Sequence, residues 1–324
     1  MMHKISSYFF DSECYFTPYY ADGIIDYMVK KGFLDFTIMA GKFRELSINY
    51  LKSFGLEIDY KGEKHYYDLV FTCQDLIVPK NIRNKKLVLV QEGMTEPEGF
   101  MYHLVKKLNF PRWFACTSTT GLSDAYNLFF VASEGYKDLF NAKGVNPFKI
   151  KVTGIPNFDN ALQYLDNDFP FKDYVLAATS DRRETFNFED RKKFIRKVLK
   201  IANGRQVIFK LHPNENWNRA TKEINKYAPK AQIYTMANTN HLIANCDVLV
   251  TKYSSVVFIA LALNKEIYSD FNLDYLKTIM PIQNNGSSAR EIARISKHLL
   301  LESKTGNTIR LNKHPRQVLK YVFD

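Results

Sequence analysis

The chain has 324 residues, 46% of them hydrophobic and 24% charged, with 25 Phe, 20 Tyr and 2 Trp. This is enough apolar material for about two domain cores, and it excludes a wholly disordered, collagenous or low-complexity chain. No apolar run approaches the roughly 20 residues that span a bilayer, and the opening MMHKISSYFFDSECYF lacks the features of a signal peptide, so a cytoplasmic protein is expected.

In chain order, short β-type runs alternate with helix-length amphipathic stretches. Strands are read at 36–40 (FTIMA), 68–73, 86–90, 127–132 and 149–153, then at 174–178, 206–211, 232–234, 247–251 and 266–268. Helices are read at 19–31, 42–54, 96–108, 135–143, 188–201, 220–228, 256–263 and 289–300. Near-continuously apolar runs such as KLVLV and DVLVT are what strands buried on both faces require. The alternation predicts an α/β protein with parallel sheets, two of about five strands each.

The polar, proline-punctuated stretch 154–170 marks the boundary. It divides a first domain, 1–154, from a second, 155–310. The segment 311–324 is read as packing back on the first domain, with a short helix at 314–323.

Charge changes at the same place. The chain carries 45 basic and 34 acidic residues, net +11. Residues 1–154 hold 19 basic and 17 acidic groups, and 155–324 hold 26 and 17. A basic half suits an anionic partner: a phosphorylated ligand, nucleic acid or an acidic membrane face. A solvated lysine-rich surface is the alternative. Residues 290–324 alone contain eight basic groups against three acidic. No RRM, KH or helix-turn-helix pattern is present, so nucleic acid is not the expected partner. The four cysteines (Cys14, Cys73, Cys116 and Cys246) are scattered without a CxxC pair and read as free thiols rather than zinc ligands.

Open α/β sheets bind ligands at the carboxyl ends of their strands. Four segments put polar residues there. Gln91-Glu92-Gly93 follows the strand 86–90, and a partly desolvated Glu92 could act as general base toward a hydroxyl. His212 and Pro213 follow 206–211, where an imidazole can donate to a phosphate and stabilise a departing nucleotide. Lys252, Tyr253, Ser254 and Ser255 open a helix after 247–251, combining hydroxyls, free backbone N–H groups and the positive end of a helix dipole. Thr179, Ser180, Asp181, Arg182 and Arg183 follow 174–178 and suit a diphosphate. The alternatives are a capped turn at Glu92, a loop histidine at 212 and ordinary helix capping by one serine.

The order of an acid-glycine segment, then HP, then paired serines resembles GT-B-fold nucleotide-donor transferases, including the CMP-sugar sialyl- and Kdo-transferases. KLHPNEN and NCDVLVTKYSSVVFIALALNKEIYSD resemble more strongly the CDP-glycerol glycerophosphotransferases of teichoic-acid synthesis. VTGIPNFD is similar to a segment shared by that family and the UDP-GlcNAc 2-epimerases. The resemblance is strongest over 150–270. It departs where the family's Trp-His-Gly is Gln91-Glu92-Gly93, where the Asp before Tyr-Ser-Ser is Lys252, and where the Pro after Lys265 is Glu266.

The resemblance implies two Rossmann-like domains facing a cleft and a transferase. The donor would be CMP- or CDP-linked, and the acceptor a hydroxyl of a bacterial surface polysaccharide or lipid-linked glycan at the inner membrane face. His212, Ser254 and Ser255 would hold the donor phosphates, with Thr179, Ser180, Pro213, Lys252, Arg182 and Arg183 around them and Glu92 as base. It calls for no metal and no cofactor beyond the donor. The rival readings are a UDP-sugar 2-epimerase and a non-catalytic nucleotide or nucleic-acid binding protein.

Overall fold

In the computed structural model, residues 1–35, 37, 39–180, 183, 189–305 and 316–322 are described. Eleven strands occur among them. They are β1 (Ser12–Pro18), β2 (Leu69–Thr72), β3 (Leu87–Val90), β4 (Leu128–Val131), β5 (Ile150–Val152), β6 (Tyr174–Ala178), β7 (Val207–Lys210), β8 (Gln232–Tyr234), β9 (Cys246–Val250), β10 (Glu266–Tyr268) and β11 (Arg316–Val322). Every strand pairing within the two sheets is parallel. The chain divides into two compact units, Met1–Asp159 with Gly286–Asp324, and Asn160–Asn285.

The first unit has the strand order β1-β11-β2-β3-β4-β5. LVFT in β2 and LVLV in β3 are buried at every position, the burial that central parallel strands demand. The strand β1 is absent from the sequence reading because Ser12, Glu13 and Thr17 interrupt its apolar pattern and its outer half is only partly buried. The segment read as a helix at 314–323 is the strand β11. It lies between β1 and β2, pairing Cys14 with Val318 and Val70 with Leu319. Its partners lie some 250 to 300 residues away along the chain, so no local periodicity reveals them. The expected strand at 36–40 is not found among the described residues: Thr37 closes a turn onto the Leu34 carbonyl through its hydroxyl (2.7 Å).

The long helix Ser288–Thr305 groups with the first unit, where the sequence reading had placed it in the second. Asp159 holds its start. The Asp159 carboxylate accepts the Ser288 N–H (3.0 Å) and its carbonyl accepts the Gly286 N–H (3.4 Å). An acid at a helix N-terminus satisfies an orphan donor and meets the positive end of the dipole.

The second unit has the order β10-β9-β6-β7-β8. One face of this sheet, with Val175, Ala177, Val207, Phe209, Val248 and Val250, packs on Phe194, Ile195 and Val198 of the helix Arg191–Ala202 and on Ala220 and Ile224 of the helix Trp217–Tyr227. On the other face the Tyr174 hydroxyl donates to the Leu242 carbonyl (2.6 Å) in the helix Thr239–Asn245. The period-2 alternation of the strands and the 3.6-residue stripes of the helices meet in one core.

Because β11 is an interior strand, its loss strips hydrogen-bond partners from β1 and β2 together. A chain ending at residue 310 is expected to lose cooperative unfolding of the first unit. Limited proteolysis should then cleave within 1–159 while 160–285 stays protected; equal protection of both units would show that β11 is dispensable.

Candidate functional site

All five strands of the second sheet run in one direction, so the loops leaving β6, β7 and β9 emerge at one edge. The strand order reverses at β6: β7 and β8 lie to one side, β9 and β10 to the other. Such a reversal leaves a crevice between diverging loops. Ala178, Thr179, Ser180, Glu189, Phe194 and Lys252 lie together at it.

The loop after β9 is locked at its base. The buried Thr251 hydroxyl donates to the Ala178 carbonyl (3.0 Å), and its N–H to the Tyr268 carbonyl (2.9 Å). The Lys252 carbonyl accepts the Ser269 hydroxyl (2.6 Å) and the Asp270 N–H (3.2 Å). Ser254 and Ser255 are half-buried just before the helix Val257–Ala262. Their carbonyls accept the Val257 and Phe258 N–H groups, at 3.3 and 3.0 Å.

The loop after β7 presents His212 half-buried and Pro213 exposed. The His212 carbonyl accepts the Glu215 N–H (3.1 Å) and the Trp217 indole N–H (3.0 Å). Its ring Nδ1 accepts the Asn214 N–H (3.2 Å). With Nδ1 as acceptor, a neutral His212 ring carries its proton on Nε2.

The loop after β6 turns its hydroxyls inward. Thr179 and Ser180 are buried; the Thr179 hydroxyl donates to Glu215 (2.6 Å) and that of Ser180 to Glu189 (2.7 Å). Arg183 makes a two-pronged pair with Glu223, 2.9 Å for each prong. Hydrogen bonding to Glu223 holds its guanidinium pKa above the ordinary value, and hydrogen bonding to Arg183 holds the Glu223 carboxyl below its own. Arg182 lies outside the described residues.

Sequence reasoning missed the groups behind this edge: Glu189, Arg191 and Glu215. Arg191 is buried and pairs with Glu189 (2.8 Å) and with Glu215. The available signal was an acid three residues after His212 in HPNEN. Lys210 at the end of β7 is also buried. Its ammonium donates to the carbonyls of Leu211 (2.7 Å) and Thr235 (3.0 Å), and burial lowers its pKa.

Glu92 follows β3 in the first unit. The partial desolvation expected of it is not found, because the residue is exposed. The loop around it is shaped by buried Gln91, whose amide donates to the Gly93 carbonyl (2.8 Å) and accepts the Ala132 N–H (2.9 Å). Asn157 of the TGIPN loop donates to the Glu92 carbonyl (3.2 Å). Four residues on, burial raises the pKa of the Glu96 carboxyl. Among the described residues no three His, Cys, Asp or Glu side chains gather as a metal site, and no helix is long and apolar enough to cross a membrane.

The fold is α/β of the GT-B class, with a doubly wound second unit. Residues 118–271 match the family described as CDP-Glycerol:Poly(glycerophosphate) glycerophosphotransferase. No curated protein sequence matches the chain. Among solved structures, S. aureus MnaA with UDP is 13% identical over 90% of this chain and 98% of that one, with a TM-score of 0.56. A variant of the wall teichoic acid polymerase TagF soaked with CDPG is 13% identical over 94% and 95%, with a TM-score of 0.50. At these identities the two structures bear on the fold alone.

Replacing Arg183 with Ala is expected to lower stability by about 1 kcal/mol at pH 7, the worth of a well-formed, partly exposed pair. Glu223 has a depressed pKa in the folded state, so its contribution is full above the unfolded carboxylate value and is lost as pH falls through the folded one. Denaturant melts of both proteins should therefore converge at acid pH. A constant difference across the pH range would show that the pair is not the source.

Proposed function

We propose that the chain transfers a glycosyl or glycerophosphate-type group from a CMP- or CDP-linked donor to an acceptor hydroxyl during bacterial surface polysaccharide synthesis. The observation that carries this reading is that the HP turn and the paired-serine loop leave β7 and β9, the strands on either side of β6, at the edge where the second sheet reverses, within the span matched by the glycerophosphotransferase family. The description of the family matched over 118–271, which names CDP-glycerol, favours a cytidine donor. In this reading His212 and the Ser254–Ser255 loop meet the phosphates at leaving-group departure, with no metal required. Lys252 and Arg182 add positive field, Ser180 and Pro213 shape the pocket, and Glu92 takes the acceptor proton, whereas Arg183 is engaged by Glu223 and the Thr179 hydroxyl is turned to Glu215.

A thermal-shift series with CMP, CDP, UDP and GDP tests the donor, since a ligand specific to the native state raises stability by mass action. A cytidine nucleotide should give the largest shift. Replacing Ser254 and Ser255 together with Ala should weaken its binding by about 1–3 kcal/mol. His212→Ala should lower turnover by about 10²–10³, and Glu92→Gln should lower acceptor-dependent transfer by about 10² while nucleotide still binds. Glu96→Gln is the comparison for Glu92. A shift with UDP alone, with an epimerised product and no acceptor, would establish the epimerase reading instead. Transfer abolished by EDTA and restored by a divalent ion would overturn metal independence.

The same reading places the protein at an acidic membrane face, where lipid-linked acceptors lie. Part of the basic stretch 290–320 lies outside the described residues. A second feature supports the placement: Phe100, Leu108, Phe110, Trp113 and Phe114 are exposed close together in sequence, interspersed with Lys106, Lys107 and Arg112. Aromatic and basic residues in this mixture favour an anionic interface. Sedimentation with anionic vesicles should exceed that with neutral vesicles and weaken with salt. Equal sedimentation with both, or with neither, would sink the placement.

A further inference from the structure

Beneath the His212 turn lies a set of buried groups to which the proposed chemistry assigns no role. The Glu215 side chain is 0% exposed. Its carboxylate accepts the Thr179 hydroxyl (2.6 Å) and a hydrogen bond from Arg191, and it lies 3.7 Å from the Arg183 guanidinium. Arg191 is itself buried and held in place, paired with Glu189 (2.8 Å) and donating to the Ser180 carbonyl (3.3 Å). A carboxylate so far from water persists only with such a counter-charge.

The hydrogen bonds run in one direction. An ionised carboxylate can only accept, and at 2.6 Å Glu215 takes the single proton of the Thr179 hydroxyl in preference to the Lys210 carbonyl at 3.3 Å. That turns a lone pair of the hydroxyl oxygen to the His212 N–H, which donates to it at 3.0 Å. The far side of the same peptide is held by the Glu215 N–H and the Trp217 indole on the His212 carbonyl. With the backbone held on both sides, Asn214 N–H reaches Nδ1 and leaves the ring proton on Nε2.

We propose that Glu215 is a positioning residue for His212: anchored by Arg191, it orients the Thr179 hydroxyl, which fixes the His212 backbone and keeps the imidazole in the Nε2–H tautomer. Thr179 then serves the site from behind, through His212. The catalytic consequence rests on the transferase reading above; the tautomer and the turn do not.

The test uses the full chain labelled with ¹⁵N-histidine. Long-range ¹H–¹⁵N correlations report the tautomer of each of the seven histidines, and His212→Ala assigns the signal. The native protein should show His212 as Nε2–H alone. Thr179→Val keeps the shape but removes the hydroxyl, and it should give mixed tautomers and a turnover lower by roughly tenfold to a hundredfold, with nucleotide affinity nearly unchanged. Thr179→Ser, which restores the hydroxyl, should recover both. Glu215→Gln keeps an acceptor for Thr179 but weakens the Arg191 anchor, and should fall between them. A single Nε2–H tautomer in Thr179→Val, or mixed tautomers in the native protein, would overturn the proposal. If the native protein shows no transfer but the tautomer responds as described, the positioning stands and the transferase reading fails.

Discussion

The parallel pairing of every strand is the constraint on which the rest of this structure depends. A parallel sheet returns the chain through a crossover after each strand, so all carboxyl ends in one sheet collect at one edge. In the second unit this brings three loops, far apart in sequence, to neighbouring positions after β9, β6 and β7. The strands need apolar side chains on both faces, which leaves the polar residues to the loops. Chemistry is thereby concentrated at the reversal point by the same requirement that builds the core.

Several polar groups at this edge are turned inward and hold the loops. Thr251 and Thr179 are buried, and each ties the end of one strand to the next through its hydroxyl. Behind them Arg191, Glu189 and Glu215 form ion pairs out of water. Such pairs add little net stability over well-packed apolar residues, because desolvation offsets most of the attraction. What they contribute here is geometry: Arg191 is paired with both Glu189 and Glu215, and these acids in turn accept the Ser180 and Thr179 hydroxyls of the loop after β6.

The first unit uses buried carboxylates in the same way. Asp75 accepts the N–H groups of Gly121 (2.8 Å) and Ser123 (2.9 Å), and Asp59 accepts those of Glu63 (3.2 Å) and Lys64 (2.9 Å). At Gly121, with φ +85°, a Cβ would stand 3.0 Å from both Phe129 and Val145, so the turn that Asp75 holds admits glycine alone.

The α/β class, nine of the strands and the place of each motif at a strand's carboxyl end were legible in the sequence, because β2, β3, β6, β7 and β9 are continuous apolar runs followed by polar turns. Those signals are local, written within four to eight consecutive residues. The strands β1 and β11 were not legible: each is polar-interrupted, and their stability comes from pairing with each other across some 300 residues. Likewise the sequence shows His212, Ser254 and Arg183 as candidate ligands of a phosphate, but it cannot show that the Arg183 guanidinium is engaged by Glu223, that Glu92 stays exposed, or that Thr179 turns inward to Glu215. Residue type sets which hydrogen bonds a side chain can make. Which of them it does make is decided by neighbours that only the tertiary fold brings within 3 Å, where burial leaves no water to compete.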